Sequence, residues 1–144
     1  MLLGLALSAC SSGAIRGEVP FVQVNGWSLD NDRLAVELRL RNVNDEALEL
    51  RRITLDGTVD EGTLLFRHVE DLDIDVAAGG FESITLETTA SDAGAALMAR
   101  LEARELPNLA YRLRGTIDSD DSGDLGISVD GRMYPVPGRS GTFR

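Results

Sequence analysis

From Leu34 to Leu40 every second residue is a large aliphatic, with Leu34, Val36, Leu38 and Leu40 alternating with Ala35, Glu37, Arg39 and, after Leu40, Arg41. In a strand rising about 3.3 Å per residue, side chains alternate between faces, so all four apolar groups fall on one side. The segment reads as a half-buried strand that needs a second apolar layer opposite it. Asn42, Val43, Asn44 and Asp45 follow. Their short amide and carboxylate side chains can bond the local backbone and turn the chain, and Leu48 and Leu50 open the next strand.

The rest of the chain repeats that pattern. Val19 to Leu29 is a first strand with Val22, Val24 and Trp27 inward, and Asp30-Asn31-Asp32 turns it into the Leu34 strand. Beyond the asparagines, Leu48 and Leu50 share one parity and Ile53 and Leu55 the other, which predicts a bulge near Arg51-Arg52. Asp60-Glu61-Gly62 is a turn leading to Leu64 and Phe66, and Leu72, Ile74 and Val76 continue the alternation to a loop at Ala77 to Gly80. Phe81 to Thr88 is a further strand. From Ser91 the period changes: Ser91 is a plausible N-cap, and Ala93, Leu97 and Leu101 share a helical face beside Met98, until Pro107 stops the helix. Leu109, Tyr111, Leu113 and Ile117, then Leu125, Ile127, Val129 and Met133, form a closing pair, and Pro135 and Pro137 confine the last segment to a sheet edge or an extended tail. Seven or eight short antiparallel strands with one helix predict an all-β sandwich of the immunoglobulin or fibronectin III kind. At 144 residues the chain holds one such domain, expected over residues 18–144, with a core large enough to need no metal or disulfide.

The alternating strand, the Asn42-Val43-Asn44 turn and the apolar strand after it resemble the late embryogenesis abundant type 2 family, whose unit is the water stress and hypersensitive response domain. That family typically carries Asn-Pro-Asn at the turn. Both amides match here, and Val43 stands where the proline would fix φ near −65°. The likeness covers roughly residues 20 to 137 in order of elements. It implies a β-sandwich, no enzymatic activity, and a role in tolerance of water loss, acid or envelope stress.

The sole cysteine bears on location. Leu7-Ser8-Ala9-Cys10 follows an apolar run and looks like the lipobox of a bacterial lipoprotein, with residues 1–9 as signal peptide, Cys10 as the lipidated residue and residues 10–17 as a flexible tether. The run is shorter than the 20 or so residues needed to span a bilayer. It also lacks the Lys or Arg that normally opens a signal, so the translation start is expected upstream of Met1. By analogy with Gram-negative sorting, Ser11 after the cysteine resembles an outer-membrane address, facing the periplasm. Two or three acyl chains, each methylene contributing about 0.8 kcal/mol, would make release negligible.

Charge narrows the partners. The net charge is −10 and every cation is arginine, so there is no basic stripe to neutralise nucleic acid. The partners expected are the membrane through Cys10, and an envelope protein or an apolar ligand docked on the sandwich.

Three constellations bear on chemistry. Asp118, Asp120, Ser122 and Asp124 imitate the start of an oxygen-ligand calcium loop, but Val129 stands where a bidentate glutamate belongs, and a solvated turn accounts for the same residues. His68, the only histidine, would need Ser83, Ser91 or Ser128 and an acid to converge on it, and reads instead as a surface histidine at a strand end. Asp71, Asp73 and Asp75 line one strand face and are expected to pair with Arg39, Arg41, Arg112 or Arg114 on neighbouring strands. No cofactor and no catalytic residue are expected.

Overall fold

In the computed structural model, residues 15–144 are described, so the expected signal segment and Cys10 lie outside the described residues. Eight strands and one helix follow in the order β1 (Phe21–Asp30), β2 (Arg33–Arg41), β3 (Leu48–Val59), β4 (Thr63–Val76), β5 (Phe81–Thr89), α1 (Asp92–Glu102), β6 (Leu109–Ser119), β7 (Gly123–Met133) and β8 (Thr142–Phe143). They form two four-stranded antiparallel sheets, β5-β2-β1-β8 and β4-β3-β6-β7. The described residues form an all-β sandwich with a single short helix.

The organising strand behaves as its alternation demands. Leu34, Val36, Leu38 and Leu40 of β2 are buried, between β1 and β5, and face the other sheet. Trp27 of β1 joins the layers: it meets Tyr111 of β6 and Phe66 of β4 edge-on, with ring centroids 5.1 and 6.4 Å apart. Two bulges keep the parity right. One between Val24 and Gly26 lets Val22, Val24 and Trp27 share a face, and the predicted one lies between Leu50 and Arg52 against both neighbours of β3.

Two inward assignments need correction. Leu64 is exposed, while Leu65 and Phe66 are both buried. The pairing of β3 and β4 slips between Gly57–Phe66 and Thr58–Leu64, which leaves Leu65 unpaired and free to turn inward beside Phe66. On α1 the buried residues are Gly94, Met98 and Leu101, with Ala93 exposed. Gly94 sets that rotation, because a Cβ there would run into the backbone and side chain of Leu65. The predicted cap is present: Ser91 Oγ accepts from the Gly94 N–H at 3.0 Å, while the Ser91 N–H donates to Leu65 O at 2.7 Å. Glu102, at the last turn, accepts from Ser140 Oγ at 2.7 Å and the Gly141 N–H at 2.6 Å, which ties the helix to the β7–β8 connection.

Candidate functional site

Two connections cross between the sheets at the end of the sandwich opposite α1: β2 to β3 through residues 42–47, and β4 to β5 through residues 77–80. Asn42 and Asn44 stand where these crossings meet, and they are buried, at 0% and 5% exposure. Asn42 Nδ2 donates to Glu46 O at 2.7 Å, Val76 O at 3.0 Å and Ala77 O at 3.2 Å, and the Asn42 N–H donates to Gly80 O at 2.9 Å. Its Oδ1 accepts from both the N–H and the Nδ2 of Asn44, each at 2.9 Å. Asn44 in turn holds the incoming chain: its Oδ1 accepts from the Glu18 N–H at 2.8 Å and its Nδ2 donates to Glu18 O at 3.0 Å.

This is more than the turn chemistry read from the sequence. A side-chain amide offers two donor hydrogens and an acceptor, so Asn42 can satisfy carbonyls from two loops while accepting from Asn44, which in turn binds the third segment at Glu18. The clamp continues to Ile15, whose N–H donates to Asp45 Oδ2 at 2.7 Å and whose carbonyl accepts from the Asp45 N–H at 2.9 Å. The chain is thus held from Ile15 onward.

Beside the clamp, the sandwich is open between β1 and β7. The β8 strand pairs β1 only at Trp27 and Ser28, so the first half of β1 is an edge, as is all of β7. A groove of about 700 Å³ runs between them, lined on one side by Val19, Phe21 and Val24 and on the other by Tyr111, Ile127 and Val129.

On the outer face of the second sheet the charges pair differently from the expectation. Arg51, in the bulge, reaches Asp120 at 2.7 Å, Asp73 and Glu49 at 3.2 Å and Asp75 at 3.3 Å, and Arg52 reaches Asp71 at 2.7 Å. Because β4 is an edge strand with β3 as its one ladder partner, its aspartates are served by β3 arginines. Arg112 and Arg114 lie one strand further on and hold Asp130 of β7, at 3.0 and 3.1 Å. Arg39 and Arg41 are on the other sheet altogether, over Phe81. The hydrogen bond from Arg51 pushes the Asp120 carboxyl down from its ordinary range, and the bond to Arg112 does the same to Asp130. Glu49, sharing a hydrogen bond with Asp120, is pushed up.

The remaining candidates do not converge. Asp120 of the calcium-like run is engaged by Arg51, while Asp118 and Asp124 pair across the β6–β7 hairpin with Ser122 in its turn. Among the described residues no three His, Cys, Asp or Glu side chains are arranged to hold a metal ion. His68 is not at a strand end: β4 runs on to Val76, and the side chain is 12% exposed with Nε2 3.1 Å from Glu70 Oε2. Ser91 is spent on the helix cap, Ser83 pairs with Arg39 on the other sheet, and Ser128 is on β7.

No family model matches the chain, and no curated protein matches it in sequence. Solved structures do. A solution structure of a protein from Arabidopsis thaliana is similar with a TM-score of 0.55 at 14% identity, over 94% of this chain and 93% of that one. The solution structure of a putative late embryogenesis abundant protein has a TM-score of 0.54 at 13% identity, over 85% of this chain and 74% of that one. A structural-genomics target solved by X-ray gives 0.51 at 11% identity, over 83% and 89%. At these identities the likeness is one of fold, and the fold of this chain is similar to that of a late embryogenesis abundant protein.

Proposed function

We propose that this chain is a non-enzymatic protein of a bacterial envelope, anchored by lipid at Cys10, probing no substrate, and protective when water is withdrawn or the envelope is stressed. The observation that carries this reading is the asparagine clamp. It holds the chain at Ile15 and Glu18, so that the described chain enters the sandwich at one defined end, the end nearer in sequence to Cys10. The fold likeness to a late embryogenesis abundant protein supports the protective role, and the separation of His68 from the three serines supports the absence of catalysis. On this reading the protein sits on the outer membrane and faces the periplasm.

Labelling with palmitate in cells, with the natural upstream sequence in place, tests the anchor: label in the parent and none in Cys10→Ser is expected, and equal label in both contradicts it. A deletion strain should survive drying or osmotic shock less well than its parent, and unchanged survival contradicts the protective role. The groove between β1 and β7 favours a second reading, in which the sandwich carries an apolar ligand or docks an envelope protein there as an adaptor.

A further inference from the structure

Among the described residues, eight large apolar side chains are exposed, and five of them gather at the clamped end: Ile15, Val19, Phe21, Val43 and Phe81. Phe21 is opposite Arg41 in the β1–β2 ladder, and Arg41 is opposite Phe81 in the β2–β5 ladder, so the three form a row across the outer face of the first sheet. The Arg39 guanidinium lies 4.1 Å from the Phe81 ring centroid and that of Arg41 5.5 Å. Neither arginine makes an ion pair among the described residues. The second sheet is acidic at the same end, with Asp120, Asp121 and Asp124 in the β6–β7 hairpin and Asp73 and Asp75 beside Arg51. The outer face of the first sheet at this end is therefore apolar with two guanidiniums free of ion pairs among the described residues, with the exposed carboxylates of Glu18, Asp45 and Glu82 at its margin, while the second sheet is anionic, in a protein of net charge −10.

We propose that the corner formed by Val19, Phe21, Val43 and Phe81 with Arg39 and Arg41 docks on a bilayer surface that carries anionic headgroups. The apolar side chains enter the boundary between headgroups and acyl chains, as exposed aromatic groups do at membrane interfaces. The two guanidiniums, held over a ring, present planar donors to lipid phosphate. The acidic corner is repelled by the same headgroups and sets the tilt. Reach agrees: Ile15 is bonded to Asp45, two residues beyond Val43, and the five steps from Cys10 to Ile15 span at most about 18 Å. The direction in which this end faces rests on the anchored reading above, whereas the affinity of the corner for lipid does not.

The test uses the full chain with one alkyl group attached to Cys10, the sole cysteine, through a maleimide. A single chain binds bilayers only marginally, so the contribution of the corner is read directly as partitioning into phosphatidylethanolamine–phosphatidylglycerol vesicles, whatever the cell does to Cys10. Phe21→Ser and Phe81→Ser are each expected to weaken partitioning about five- to tenfold. Arg39→Gln with Arg41→Gln is expected to abolish the preference for these vesicles over vesicles of phosphatidylcholine alone. Phe21→Leu keeps most of the binding, and Val69→Ser, on exposed β4 surface away from the corner, leaves it unchanged. Unfolding curves establish that each variant is folded. Phenylalanine variants that partition like the parent, or fall no further than Val69→Ser, overturn the proposal.

Discussion

Asn42 Oδ1 accepts two hydrogen bonds from Asn44, one from its backbone N–H and one from its side-chain amide, both at 2.9 Å and both out of reach of water. Through this pair, two loops that cross between the sheets and the segment leading into β1 become one unit. Replacing Asn42 by Ala strands the Val76 carbonyl and both Asn44 donors in the interior, while the part-buried Glu46 carbonyl can turn to water. Each buried group left unsatisfied costs about 1–3 kcal/mol. A loss of about 3 kcal/mol in urea unfolding is expected for Asn42→Ala, and about 2 kcal/mol for Asn44→Ala. Asn42→Asp should be no better than Asn42→Ala, since a carboxylate cannot donate to three carbonyls.

The residue between the asparagines should tolerate the proline that the resemblance leads one to expect. Val43 is 40% exposed, and among the described residues its N–H donates no hydrogen bond. Val43→Pro restricts the unfolded chain and is expected to stabilise the protein by about 0.4–1 kcal/mol. A lower urea midpoint would mean that the turn is not compatible with the φ that proline fixes.

Gly115 is the point in β6 where the two ladders leave no room. A Cβ there would collide with Thr54 O and with the backbone of Leu55 on β3. Gly115→Ala should lower stability by about 3 kcal/mol or more. At Gly131 the added Cβ would meet the hydroxyl end of the Tyr111 side chain, which can swing aside. Gly131→Ala should therefore cost much less than Gly115→Ala in the same denaturation assay.

Acid should lower the stability of the protein by releasing its carboxylate partners. Asp120 and Asp130 are held below their ordinary 3.8 by Arg51 and Arg112, and Glu102 below 4.5 by the Ser140 hydroxyl and the Gly141 N–H. Groups whose folded pKa is depressed contribute their full stability above the unfolded value and lose it as the pH falls through the folded one. The contribution of these three groups should hold from neutral pH down to about 4.5 and fall below it, with Glu49, pushed up, opposing the loss in part. In Arg51→Met the carboxylates of Glu49, Asp73, Asp75 and Asp120 face one another with no cation among them. Like charges that close repel, so the variant should melt below the parent at neutral pH and recover part of the difference in added salt.

Where periodicity is local, the sequence was enough to read the structure. The Leu34–Leu40 face, the Arg51 bulge, the Ser91 cap and the sandwich itself are set by neighbours within a few residues of one another. The side of α1 that faces the core was not legible, because it depends on Leu65 fitting against Gly94 across a bulge that only the β3–β4 register creates. Nor were the partners of Asp71, Asp73 and Asp75, which follow from strand order, a property no single strand encodes. Asn42 and Asn44 were visible as turn formers, but the bonds that make them a clamp reach Glu18 and Val76, 26 and 34 residues away in the chain.

In the proposed function the asparagine-clamped end is the one facing the membrane. Hydrogen–deuterium exchange of the protein alkylated at Cys10 and bound to phosphatidylethanolamine–phosphatidylglycerol vesicles, compared with Cys10→Ser in solution, addresses it most directly. Slower exchange on the membrane is predicted for residues 15–24, 41–47 and 77–82, with residues 60–62 and the helix over residues 92–102 unchanged. Protection spread evenly over the sandwich, or concentrated at the helix end, would contradict it.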